Sequence, residues 1–234
     1  RLLYIIMKKQ QYRITYAKAV YGKEEVQAVV KVLESQATMA GPNVRAFEES
    51  VAKLFGKKFG IMVNSGSSAN MIAARLLSLP EGSEIITPVL TFSTTIAPFI
   101  QNRVVPAFVD VKEGTYQIDE ERIEEMITKK TKALVIPSLL GNLPAFPRLR
   151  AIADKYKLYF LEDSCDTVGA TFRARPTGWF SDISTTSFYG SHIITAAGNG
   201  GMVCVSDKAW NLRARILRGW GRKSSIIESE DIKE

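Results

Sequence analysis

Residues 59–79 read FGIMVNSGSSANMIAARLLSL. An apolar run, Phe59–Val63, meets a polar turn at Asn64, Ser65 and Gly66, and small hydroxyl residues then open a helical pattern over Ser68–Leu79. A short run that is apolar throughout, bounded by turn residues and followed at once by a helix, predicts a strand covered on both faces.

The same unit recurs outward from this stretch. Further strands are predicted at EIITP (84–88), VVPAFVDV (104–111), KALVIPSLL (132–140), LYFLED (158–163), DISTTSFY (182–189) and GMVCVS (201–206). Helical stretches at Ser68–Leu79, Thr94–Gln101, Glu120–Thr128 and Pro147–Tyr156 separate the first five strands. Such alternation implies right-handed crossovers and an α/β fold with a mostly parallel sheet of seven strands, helices on both faces. The last two strands are joined by a short loop, which leaves room for an antiparallel member. Upstream, KEEVQAVVKVLES (23–35) sets Val26, Val29, Val30 and Leu33 on one helical face, and a second helix is predicted over 43–55 after Gly41-Pro42.

Composition narrows the function classes. The chain of 234 residues is 46% hydrophobic and 24% charged, the balance of an ordinary globular protein. Its net charge of +7 comes from scattered Lys and Arg, with short pairs such as Lys8-Lys9 and Lys57-Lys58. No basic stripe interleaved with aromatics appears, so neither a nucleic acid nor a membrane is expected as partner. No run approaches the roughly 18 apolar residues of a membrane span. RLLYII at the start is too short for a signal peptide and lacks a cleavage site, and Met7 is a candidate initiator. Cys165 and Cys204 sit in or beside apolar runs, which suits a reduced, cytoplasmic protein.

In a doubly wound sheet ligands bind beyond the carboxyl ends of the strands, and four polar clusters fall there. In VNSGSSAN (63–70), free amides at a helix start with Ser67 and Ser68 hydroxyls make an anion site, or simply a serine cap. Neither the Walker nor the dinucleotide glycine pattern is present. In TPVLTFSTT (87–95), Phe92 could stack on a flat ring or fill the core. In LEDSCD (161–166), an acid at the strand end could hold a protonated pyridine nitrogen or cap a turn. In SFYGSHIITAAGNGG (187–201), Ser187 precedes His192, the sole histidine, whose side chain suits proton transfer near neutrality.

Taken in order, NSGSSAN, TFSTT, FVDV…TYQID, LLGN, EDSCD and SFYGSH…GNGGMV resemble the DegT-type nucleotide-sugar aminotransferase family, from about Thr15 to Arg222. The resemblance implies the aspartate-aminotransferase-like large domain (fold type I), with pyridoxal 5'-phosphate or pyridoxamine 5'-phosphate as cofactor. By position, Ser67, Ser68 and Ser187, with the turn at Gly66, would bind the cofactor phosphate. Phe92 would stack on the ring, Asp163 would pair with the pyridine nitrogen, and Asp166 would lie near the ring hydroxyl.

At residue 192 the sequence departs from the aminotransferase pattern. The family's lysine, which links covalently to the cofactor, is replaced by His192, and no lysine occurs between Lys157 and Lys208. An imidazole cannot form that link but can move protons. The substitution marks the sugar 3-dehydratase branch, which removes the 3-hydroxyl of a nucleotide-linked 4-keto-6-deoxy sugar in deoxysugar and surface-polysaccharide synthesis. The alternatives are a sugar aminotransferase with a displaced lysine, or a catalytically inactive relative. SHIITAAGNGG is one residue longer than the usual segment, and Asn199 stands where glutamate is common.

Some dehydratases of this branch hold an iron–sulfur cluster on four cysteines, one of them matched by Cys165. After Trp220-Gly221-Arg222 come Lys223, Ser224 and Ser225 rather than thiols, so no cluster and no metal site are expected. The resemblance further implies a homodimer for a full-length chain, an amine donor such as glutamate, and a smaller C-terminal domain absent from this text. We therefore divide the chain into an extension (1–14), a cofactor-binding domain (15–222) and a charged tail (223–234).

Overall fold

A computed structural model describes residues 17–36, 38 and 40–223. The predicted extension and nearly all of the predicted tail lie outside the described residues.

Helices α1 (Lys23–Glu34) and α2 (Pro42–Leu54) precede the sheet. The main strands are β1 (Phe59–Val63), β2 (Glu84–Pro88), β3 (Val105–Val109), β4 (Thr131–Pro137) and β5 (Tyr159–Asp163), then β8 (Ile183–Ser187) and β9 (Gly201–Val205). Between the last two groups, β6 (Thr171–Phe172) and β7 (Arg175–Pro176) form a small separate ribbon. The seven-stranded sheet has the order β1-β9-β8-β5-β4-β2-β3. Strand β9 is antiparallel to both its neighbours, and the other pairings are parallel. The short loop before β9 thus returns the chain in the reverse direction, and six strands present their carboxyl ends at one edge.

Both faces of the central strands are covered, as the unbroken apolar runs require, but edge strand β3 leaves Val105 and Phe108 exposed. Helices α3 (Gly66–Leu77), α4 (Ser93–Gln101) and α6 (Lys208–Arg218) lie over one face, where Ala69, Ala73, Leu161 and Val203 pack together. Helices α2 and α5 (Phe146–Tyr156) cover the other, with Phe146 and Phe160 under α5 and Phe55 and Phe188 under α2. All four phenylalanines are fully buried, each stabilising the fold by about 1.5–3 kcal/mol relative to exposure. Strand alternation turns Leu161 and Asp163 toward α3, and Phe160 and Glu162 toward the opposite face.

Four local features differ from expectation. The helix predicted over 120–128 is only a 3-10 turn, Glu124–Met126. Thr131 Oγ1 accepts the amide of Thr128 and closes the chain where a helix would have to continue. Strand β4 ends at Pro137 rather than Leu140, because Leu139–Gly141 wind into a 3-10 turn with Leu140 in the left-handed region. Helix α6 was not anticipated; Asp207 caps it by accepting from the amide of Trp210. Its Arg215 and Arg218 reach the buried carboxylate of Glu48, at 3.1 and 2.5 Å, while that carboxylate also takes the Met62 amide. Finally, the apolar stripe of α1 stays exposed: no α1 residue is buried, and Val26, Val29, Val30 and Leu33 meet no core among the described residues.

Candidate active site

The site is built where β1 hands over to α3. Ser65 caps α3 by accepting from the Ser68 amide at 3.1 Å. Gly66 follows in the first turn, and its lack of a side chain is a packing requirement. A Cβ there would lie 2.7 Å from Ser187 Cβ and 2.9 Å from Cys165 Sγ. Gly201 is equally constrained, since a Cβ would lie 2.2 Å from the Ser65 carbonyl oxygen. These two glycines let the ends of β1, β5 and β8 close on one another.

Across this cradle Ser67 Oγ donates to Thr94 Oγ1 at 2.9 Å, which ties the first turn of α3 to the first turn of α4. The first turns of two helices therefore meet at this edge, where Gly66 also approaches Ser187 at the end of β8. Unsatisfied amides and the positive ends of two helix dipoles favour an anion there. Gly66, Ser67, Ser68 and Ser187 are thus brought together.

Asp163 ends β5 and is 5% exposed. Its Oδ2 accepts from Asn70 Nδ2 at 2.9 Å and from Thr95 Oγ1 at 2.8 Å, while Oδ1 accepts from the Cys165 amide at 3.2 Å. An ionised carboxylate has about four lone-pair sites, so one site on Oδ1 is still open. Asn70 is itself held, since Thr185 Oγ1 donates to its Oδ1 at 2.6 Å. The residues that orient Asp163 went unassigned in the sequence. Asn70 carried a readable signal: a polar residue on the otherwise apolar inner face of α3, among Ala69, Ile72 and Ala73. Thr95 and Thr94 carried none beyond a hydroxyl-rich helix start.

The adjacent acid, Glu162, takes no part. It faces the other side of the sheet, fully buried, and accepts from the hydroxyls of Ser164, Ser181 and Ser184. Lys57 lies near it, donating to the backbone carbonyls of Ser181 and Asp182, and burial lowers its pKa. Two hollows of about 400 and 580 Å³ flank Lys57 at the far edge of the sheet, away from the carboxyl-end cluster.

His192 sits in the loop after β8, its amide bonded to the Tyr189 carbonyl at 2.9 Å and its ring edge-on to the Tyr189 ring at 5.7 Å. Its Nε2 is 3.9 Å from Asp166 Oδ1. Asp166 is in turn fixed by the Leu140 amide, which donates to Oδ2 at 2.9 Å. Phe92 precedes α4 and is 66% exposed, its ring free at the mouth of the site rather than in the core. Cys165 lies under the cradle, and burial, reinforced by Asp163, raises its thiol pKa well above the ordinary range. Among the described residues no group of three or more His, Cys, Asp or Glu could hold a metal ion, and no helix is long and apolar enough to cross a membrane.

A doubly wound sheet with an anion cradle at two helix starts and a buried, oriented carboxylate is the frame of a phosphate-bearing ring cofactor. Residues 20–230 match the DegT/DnrJ/EryC1/StrS aminotransferase family, and the chain belongs to it. It is 40% identical over 212 residues to dTDP-4-dehydro-2,6-dideoxy-D-glucose 3-dehydratase of Saccharopolyspora spinosa, an alignment covering 87% of this chain and 46% of that protein. The fold is similar to that of a GDP-4-keto-6-deoxymannose-3-dehydratase crystallised with a trapped PLP-glutamate geminal diamine. That likeness has a TM-score of 0.85 at 30% identity and covers 94% of this chain and 57% of the other. It is similar, too, to an aminotransferase from Psychrobacter cryohalolentis, with a TM-score of 0.84 at 31% identity over 89% of this chain and 54% of that one. The chain spans about half the length of the curated relatives it matches.

Proposed function

We propose that the protein is a sugar 3-dehydratase that uses pyridoxal or pyridoxamine phosphate and removes the 3-hydroxyl of a nucleotide-linked 4-keto-6-deoxy sugar. The observation that carries this reading is His192, placed after β8 where the aminotransferase pattern has lysine, in a span without lysine from 158 to 207.

The residues present fit the cofactor. The cradle at Gly66 has room only because no Cβ fills it, and its amides and the hydroxyls of Ser67, Ser68 and Ser187 would take the phosphate. Asp163 keeps one lone pair of Oδ1 for a ring N–H donor, and Asn70 and Thr95 hold it in place. Phe92, exposed at the mouth, would cover one ring face. When bound, the cofactor supplies an electron sink next to the reacting sugar carbons. His192 would move the proton at an imidazole nitrogen, a task that needs a pKa near neutrality and no covalent link. Departure of the 3-hydroxyl then yields a 3-deoxy sugar, the two electrons that replace the C3–O bond coming from the cofactor's amine form, which an amine donor would renew.

A sugar aminotransferase is the competing reading, and both activities occur among relatives. It needs an amine nucleophile at the cofactor. Lys57 has the lowered pKa that favours such chemistry, but it stands at the opposite sheet edge and points at the Ser181 and Asp182 carbonyls. That placement favours the dehydratase. Glutamate as amine donor is supported by the adduct in the similar dehydratase structure. A homodimer is supported by the exposed apolar side chains around the site, Leu90, Phe92, Leu140 and Ile193. Two free cysteines, with buried Cys204 among them, fit a cytoplasmic setting.

The test is an absorption spectrum with pyridoxal phosphate, before and after borohydride. Retained binding without a covalent adduct, together with loss of the 3-hydroxyl from a 4-keto sugar when glutamate is supplied as amine donor, is the expected result. A borohydride-trapped lysine returns the protein to the aminotransferases.

A further inference from the structure

We propose that Asp166 is a positioning residue that fixes the tautomer of His192, so that Nε2 carries the proton and Nδ1 carries the basic lone pair. The inference rests on His192 being the group that moves the proton.

Three observations meet here. Asp166 is anchored from behind, since its Oδ2 accepts from the Leu140 amide at 2.9 Å. Leu140 holds that amide in place with a left-handed backbone, φ 58°, which a non-glycine residue adopts only at a cost. The free oxygen, Oδ1, then faces His192 Nε2 at 3.9 Å, with the two side chains only 25% and 35% exposed. On the imidazole's own side, the Tyr189 carbonyl and ring fix the backbone and the ring edge. Nδ1 is buried and meets no hydrogen-bonding group among the described residues.

A carboxylate oxygen has no proton to offer. The nitrogen that faces it is stabilised as N–H and destabilised as a lone pair, even beyond direct hydrogen-bond distance. A neutral imidazole has one proton, so placing it on Nε2 leaves Nδ1 as the base. An unpartnered buried acceptor costs stability, about 1–3 kcal/mol in general, and groups held so are expected where chemistry needs them. Leu140 and Nδ1 are thus both held at a cost in fold stability.

His192 is the only histidine, so ring signals of the 15N-labelled 234-residue chain report on it alone. Spectra at about pH 9, where an ordinary imidazole is neutral, are expected to show a protonated Nε2 and a pyridine-like Nδ1. Asp166→Asn is the decisive variant. Its carbonyl oxygen would keep the Leu140 amide, which turns the NH2 group toward Nε2, and the proton should shift to Nδ1. Asp166→Glu should restore the original pattern. Asp166→Ala, read if the asparagine variant fails to fold, should show both tautomers in exchange. An unchanged tautomer in Asp166→Asn, or in Asp166→Ala, overturns the proposal, as does a wild-type chain with Nδ1 protonated. No cofactor or substrate is needed, so failure here is distinct from failure of the dehydratase reading, which turnover and borohydride decide.

Discussion

Asn70 Nδ2 stands 2.9 Å from Asp163 Oδ2, and Asn70 Oδ1 takes the Thr185 hydroxyl at 2.6 Å, so a single amide joins α3, β5 and β8 under the candidate site. Both contacts are buried. Replacing Asn70 by Ala strips a donor from a buried carboxylate and an acceptor from a buried hydroxyl. We expect Asn70→Ala to lower stability by about 1–3 kcal/mol, read as a fall in urea midpoint. Thr95→Val, which removes only one donor, should cost less.

Gly66 should tolerate no side chain. In Gly66→Ala the new methyl would press on Ser187 and Cys165, both closer than 3 Å. Overpacking of this kind costs about 1–3 kcal/mol, and the least costly relaxation opens the cradle. Pyridoxal phosphate affinity, followed by absorbance titration, should fall about tenfold or more. An unchanged affinity would remove the cradle from the phosphate site.

Glu48 pins α6 to β1. It is 3% exposed and bonded to Arg215, Arg218 and the Met62 amide. Glu48→Ala leaves two half-buried guanidinium groups without that carboxylate, a change that costs about 3–5 kcal/mol when one partner of a buried pair is removed. Thermal unfolding should show the loss, and an unshifted midpoint would mean that α6 docks by its apolar residues alone.

The two thiols should be silent in the folded protein. Burial raises both pKa values, of Cys165 and of Cys204, which disfavours the thiolate. A raised thiol pKa stabilises the fold fully below the ordinary thiol range and loses that contribution as pH rises through the folded value. We expect no reaction with a disulfide reagent at pH 8 until denaturant is added, and stability that declines above about pH 9.

His192→Lys tests the placement of residue 192. A lysine there should acquire a borohydride-reducible link to pyridoxal phosphate if this side chain reaches the reacting carbon. Absence of a link would show that the extra residue in the loop carries position 192 away from the cofactor.

The sequence alone determined the layering. Short apolar runs such as FGIMV and LYFL, bounded by turn residues, predict strands with both faces covered, and helices between them imply parallel crossovers. It also determined the chemistry available at residue 192, because a lysine-free window is a property of the text. Periodicity was less informative where side chains compete with the backbone. At 120–128 the sequence predicts a helical stretch, but only a 3-10 turn forms, beside the Thr128–Thr131 contact and the ties from Glu124 to Tyr156 and Lys155.

The family resemblance points to Asp163 among the acids of LEDSCD, but only the tertiary structure shows what separates it from its neighbour. Glu162 and Asp163 are neighbours in sequence, yet the pleat sends one to a serine cluster and the other to Asn70 and Thr95. It likewise decided that Asp166 faces His192, a contact spanning 26 positions that no local pattern encodes. Sequence spacing fixes the face on which a side chain lies. Packing of separate elements, through close approaches such as Gly66 on Ser187, fixes what that side chain meets.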